Sequence, residues 1–148
     1  FLPFHTPSDR IVSEEVMERL SGRLGEGSSA ELAEPGDDPQ QMLLAVSRCD
    51  ALFGMRLHAL IYAANVRVPM LGLSYDPKID SFLQRLGLTA VGSTERLDAE
   101  AFAAEASALL DDPDGWRAAH GAAIDALKRQ SRQPAQQILQ ILRHNRSR

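Results

Sequence analysis

The sequence predicts an α/β fold, a Rossmann-like parallel sheet with helices on both faces. Five short apolar runs, residues 1–4, 29–33, 51–53, 68–73 and 88–91, alternate with stretches of helical spacing. That alternation implies βαβ units, and βαβ units imply a mostly parallel sheet covered on both sides. Glycine, proline or an aspartate stands where each run gives way to the next helical stretch. The chain of 148 residues, 44% hydrophobic and 24% charged, suits one α/β domain with a single buried core.

Each element follows from local chemistry. Phe1 to Phe4 reads as the first strand, already under way at a chain start without methionine, so the chain reads as part of a longer protein. Asp9 is placed to cap a helix carrying Ile11, Val12, Val16, Met17 and Leu20. Gly25 and Gly27 punctuate, and Ser29 to Ala33 is a weak second strand. Pro35-Gly36 turns the chain, and Asp38-Pro39 opens a helix striped by Met42, Leu43 and Val46. Ala51 to Phe53 is the third strand, ended by Gly54, which permits a tight turn. Leu57, Leu60, Ile61 and Ala64 mark the next helix, and Val68 to Leu73 the fourth strand. Asp76 caps a helix carrying Ile79, Phe82, Leu83 and Leu86, with Gly87 as its C-cap. Leu88 to Val91 is the fifth strand.

The remainder, residues 98–148, is a helical C-terminal part of the same domain. One helix runs from Asp98 through Leu110, a second starts at Asp112-Pro113 and contains Trp116, and a third starts at Pro134. In that third helix Ile138, Ile141 and Leu142 share a face expected to pack on the body, leaving Arg143, Arg146 and Arg148 in water.

Composition narrows the function. A net charge of −4 argues against general nucleic-acid binding. No apolar run reaches the ~20 residues of a membrane span. Six basic residues and no acid in 128–148 form a basic end whose ordinary reading is a solvated face, with contact to an anionic lipid surface as the alternative. The lone Cys49 reads as a small core residue rather than a nucleophile, and fits a cytoplasmic protein. The acids are dispersed, so no metal site is expected, and none of the common hydrolase, nucleotide or zinc motifs occurs.

Ligands of open parallel sheets bind at the carboxyl ends of the strands. Two of those ends are chemically dense: Gly54-Met55-Arg56-Leu57-His58 and Ser74-Tyr75-Asp76-Pro77-Lys78. Both lie at strand-to-helix junctions, where unpaired N–H groups and the positive dipole end suit anions. For Arg56 and His58 to reach one ligand, Arg56 must lie in the loop and His58 in the first helical turn. Alone, Arg56 reads as a surface ion-pair member, His58 as a satisfied helix-start residue and Lys78 as a partner of Asp76 or Asp80. Three potential cations at neighbouring strand ends tip the reading towards a binding site. Ser74 and Tyr75 join it as substrate-binding candidates, although Tyr75 equally suits packing. His5 is a weaker candidate.

The run from Gly54-Met55-Arg56-Leu57-His58-Ala59-Leu60-Ile61-Tyr62-Ala63-Ala64 through Val68-Pro69 to Leu73-Ser74-Tyr75-Asp76-Pro77-Lys78-Ile79-Asp80-Ser81-Phe82-Leu83 resembles the polysaccharide pyruvyltransferase family, most of all its CsaB-type, cell-wall-modifying branch that serves S-layer anchoring. The resemblance implies a GT-B-like enzyme of two Rossmann-like domains, this chain being the C-terminal, donor-binding one (residues 1–148) without its N-terminal partner domain, and so inactive alone. It implies phosphoenolpyruvate as co-substrate with no further cofactor, and a lipid-linked saccharide as acceptor, met in the cytoplasm or at the inner face of the membrane. Pyruvate would be transferred as a 4,6-ketal with release of phosphate. By motif, His58 resembles the general acid, Arg56 a donor-anion ligand and Lys78 a second cation beside the donor. Two other readings remain. A nucleotide-sugar glycosyltransferase of the same shape would need a carboxylate for ribose, with Glu34 or Asp80 available. A non-catalytic partner-binding domain would be indifferent to loss of His58.

Overall fold

A computed structural model describes all residues except Thr6, Pro35, Asp37, Ser147 and Arg148, and all side chains except theirs and those of Asn145 and Arg146. Half of the expected Pro35-Gly36 turn, and the expected exposure of Arg146 and Arg148, therefore lie outside the described residues. The chain divides into two units, Phe1–Cys49 and Asp50–Arg148.

The first unit contains helices α1 (Ser8–Leu20) and α2 (Pro39–Ser47). Asp38 caps α2 as expected, its carboxylate accepting the Gln40 N–H, with Pro39 in the first turn. Met42 and Val46 are the buried residues of that helix. In α1 the cap is Pro7 rather than Asp9, which lies one residue inside the helix and accepts the His5 N–H at 2.9 Å. None of the α1 stripe is buried, and Ile11, Val12 and Val16 are exposed. The two strands expected in this unit do not form. Phe1 donates from its ammonium to Glu31 O and accepts from Ala33 N–H, two bonds that flank Leu32 in the manner of a parallel bridge. The pairing stops there, where Pro3 has no N–H to give.

The second unit carries a three-stranded parallel sheet in the order β1 (Leu52–Gly54), β2 (Met70–Ser74), β3 (Gly92–Ser93). Leu52 pairs with Met70 and Gly54 with Gly72, while Leu73 pairs with Gly92. Helix α3 (Leu57–Val66) packs on β1 and β2, and α4 (Pro77–Arg85) on β2 and α3. Leu60, Met70, Ile79, Leu83 and Leu86 form the driest part of this core. Leu52 and Gly54 face α3. Phe53 points the opposite way and meets Phe102 of α5 (Ala99–Asp111) with ring centroids 4.6 Å apart. Helix α6 (Pro113–Arg146) packs on α3 and α5, with Trp116 and Ile124 buried.

Glycine 72 marks the close approach of helix to sheet. A Cβ there would stand 2.7 Å from Leu83 Cδ1 and 3.2 Å from Leu83 Cδ2. Gly54 serves packing too, and not the tight turn expected of it. Its φ is not positive, and a Cβ would meet Leu52 Cδ2 at 2.9 Å and Leu60 Cδ2 at 3.3 Å.

The fifth expected strand, 88–91, is displaced to Gly92–Ser93. Leu88 is occupied in ending α4. Its N–H bonds Leu83 O and that of Gly87 bonds Gln84 O, with Gly87 at φ +72°, which together make a Schellman closure. Because Gly87 adopts the left-handed region, Gly87→Ala is expected to lower stability by about 1–2 kcal/mol. Urea unfolding followed at Trp116, the only tryptophan and buried in this unit, reads it directly. An unchanged midpoint would remove this account of the α4 terminus.

Beyond the sheet, Asp98 caps α5 through the N–H groups of Glu100 and Ala101, as expected. The expected break at Pro134 is absent. Helix α6 continues through it for 34 residues, about 50 Å. Proline removes one backbone donor, but the alanine-, glutamine- and leucine-rich turns around it are strong helix formers and carry the helix on. The stripe expected to pack on the body does not: Ile138, Ile141 and Leu142 are 58%, 61% and 54% exposed. No helix among the described residues is long and apolar enough to cross a membrane.

Candidate active site

All five candidate residues that follow β1 and β2 lie in the second unit. Because the strands are parallel and neighbouring, their carboxyl ends form one edge. Gly54 and Gly72 are in register, so Arg56 and Ser74 each stand two residues beyond a paired glycine.

At the end of β1, Arg56 is the extended N-cap of α3, with φ −94° and ψ 127° and no side-chain capping bond. His58 is the second residue of the helix and is exposed. Ala59 and Leu60, immediately after it, are buried and fix the first turn against the sheet. The first-turn N–H groups of a helix have no intrahelical acceptors. In α2, α4 and α5 an aspartate caps that end, whereas α3 has no acid in its first turn and an arginine at the cap. The start of α3 therefore combines a positive dipole end with two basic side chains.

At the end of β2 the arrangement differs from the expectation that both junctions offer backbone donors to a ligand. Asp76 caps α4 by accepting the Lys78 N–H at 2.8 Å, so an internal carboxylate already serves that helix start. The Lys78 side chain is exposed and forms no ion pair with Asp76 or Asp80 among the described residues. Tyr75 is half exposed. Ser74 is buried, and its hydroxyl donates to Asp80 Oδ2 at 2.7 Å. Sequence reasoning weighed Asp80 as a partner for Lys78 or a ribose acceptor, and missed this bond. A serine at a strand end six residues before a first-turn aspartate is the only signal, and it is a weak one.

In the first unit His5 is exposed, with its backbone N–H on Asp9. Glu34 is paired with Arg10, which Glu14 also contacts. The hydrogen bonds that Arg10 donates to the carboxylates of Glu14 and Glu34 raise its pKa above its already high value. Cys49 is half-buried, with Sγ 3.6 Å from Ala45 O, as suits a packing residue. Among the described residues no three metal-ligating side chains gather.

The second unit is thus an α/β structure whose sheet edge carries Arg56, His58 and Lys78 beside Asp76 and Asp80, and whose first helix after β1 has no side-chain cap. Residues 5–77 match the family model described as polysaccharide pyruvyl transferase. The matched segment includes Arg56, His58, Ser74 and Tyr75 and stops one residue before Lys78. No curated protein and no solved structure matches the chain.

Proposed function

We propose that the chain provides the donor side of an enzyme that moves pyruvate from phosphoenolpyruvate to a sugar of a cell-wall polysaccharide, as in the CsaB-type, S-layer-anchoring branch of the family. The observation that carries this reading is Arg56-Leu57-His58 at the uncapped start of α3, inside the family match. A small dianionic donor suits an edge where Arg56 and Lys78 supply charge and α3 supplies N–H groups. His58 is the proton donor. It protonates the methylene carbon of the enolpyruvyl group, which becomes a methyl group and leaves the adjacent carbon electron-poor. One sugar hydroxyl adds to that carbon, phosphate leaves, and the second hydroxyl closes the 4,6-ketal. Ser74 and Asp80 hold the β2–α4 junction so that Tyr75 and Lys78 border the donor. A second Rossmann-like domain completes the cleft in GT-B fashion and receives the lipid-linked acceptor, in the cytoplasm.

The glycosyltransferase reading is not favoured by the family match. Both carboxylates available for ribose are already engaged, Glu34 with Arg10 and Asp80 with Ser74. Direct binding measurements with phosphoenolpyruvate and with uridine diphosphate separate the two, and preference for the nucleotide would overturn the pyruvyl reading. Lys78→Ala in the full-length enzyme is expected to raise the donor KM about tenfold, the loss of one charge-assisted contact, and to change kcat little. A fall in kcat at constant KM would move Lys78 from binding to chemistry.

A further inference from the structure

We infer that the C-terminal half of α6 is a docking helix for an anionic phospholipid surface. This rests on that helix alone and is independent of the pyruvyl reading. Charge is divided sharply along the chain. Residues 1–125 hold ten basic and twenty acidic side chains, a net −10, while 126–148 hold six basic and no acidic ones, which restores the overall −4.

The basic stretch is also amphipathic. At ~100° per residue, Ile141, Ile138, Leu142, Ala135 and Leu139 span an arc of roughly 160°. All five are exposed, the four large ones to between 52% and 61%. Arg132, Arg143 and Arg129 follow on one flank of that arc, within roughly the next 80°. Lys128, Ser131 and Pro134 also fall within the apolar arc and Gln136 among the arginines, while the rest of the circumference carries Gln130, Gln133, Gln137, Gln140 and His144. An aliphatic arc bordered by arginines fits the boundary between acyl chains and anionic headgroups, where the long side chains keep their charge in the polar layer. The charge pattern selects lipid over a second copy of the chain. Pairing two such stripes would cover the apolar residues but bring no carboxylate to the arginines, since the stretch has none. The helix lies on the surface and does not cross it.

Co-sedimentation of the 148-residue chain with vesicles tests this. Binding is expected to phosphatidylglycerol-containing vesicles and not to pure phosphatidylcholine. Arg129→Gln, Arg132→Gln and Arg143→Gln together are expected to weaken it on the order of 100-fold, each charge near an anionic surface contributing roughly fivefold. Ile138→Gln with Leu142→Gln should weaken it comparably, and because these residues are exposed the variants keep the far-ultraviolet circular dichroism of the parent. Absence of binding to either vesicle overturns the inference. So does binding that survives the glutamine pair at Ile138 and Leu142, which would mark mere charge attraction. A dimer in light scattering that the same pair abolishes, without vesicle binding, would assign the stripe to a second copy instead.

Discussion

Replacing His58 by alanine in the full-length enzyme is expected to lower kcat by about 10²–10⁴-fold, the usual contribution of a general acid. Under the proposed donor site, donor KM should change little, because Arg56, Lys78 and the N–H groups of α3 would remain to hold the anion. The substitution is well suited to the question. His58 is exposed, it lies in the first turn of a helix that alanine favours, and its neighbours Ala59 and Leu60 provide the packing. Stability should therefore stay within ~0.5 kcal/mol, so lost activity cannot be attributed to unfolding. Steady-state kinetics of phosphate release with a saccharide acceptor makes the measurement. A raised KM with kcat intact would make His58 a binding residue. Unchanged kinetics would favour a non-catalytic domain.

Elements closed by side chains near in sequence were legible, and those closed by distant partners were not. Asp38-Pro39, Asp76-Pro77 and Asp98 announce helix starts because the capping bond is formed within three residues. Gly87 announces a helix end for the same reason. β1 and β2 are apolar runs buried by the helices that directly follow them, so they too could be read locally. The segments 1–4 and 29–33 have strand-like composition, yet they make only the two bonds around Leu32. Composition does not report how many neighbours a strand finds. Proline 134 misled in the other direction, since the turns on either side outweigh one missing donor. At the site, the loop position of Arg56 and the helical position of His58 followed from their spacing. The Ser74–Asp80 bond did not, because it depends on the angle at which α4 leaves β2. The role of Gly54 was likewise visible only once Leu60 was seen above it.

Leu60→Ala is expected to have the largest effect on the fold, a loss of about 4–5 kcal/mol, the upper end of the range for a buried leucine. Leu60 is fully buried, and its two methyl groups lie over the glycines of the paired strands. Its Cδ2 is 3.3 Å from a Cβ built at Gly54, and its Cδ1 is 3.4 Å from one built at Gly72. Cavities cost least where neighbours can collapse into them, and here the floor is two residues without side chains. The cavity should stay largely open, which is why the upper end of the range applies. A domain of this size has only ~5–15 kcal/mol in all, so the second unit would lose a large part of its stability. The same leucine ties the first turn of α3 to β1, so Arg56 and His58 should lose their fixed positions before the unit unfolds. Urea unfolding monitored at Trp116, with Leu139→Ala on the exposed part of α6 as the control, measures the difference. The control should shift by no more than ~0.5 kcal/mol. If the two substitutions proved equally mild, Leu60 would not be the packing centre that positions the site.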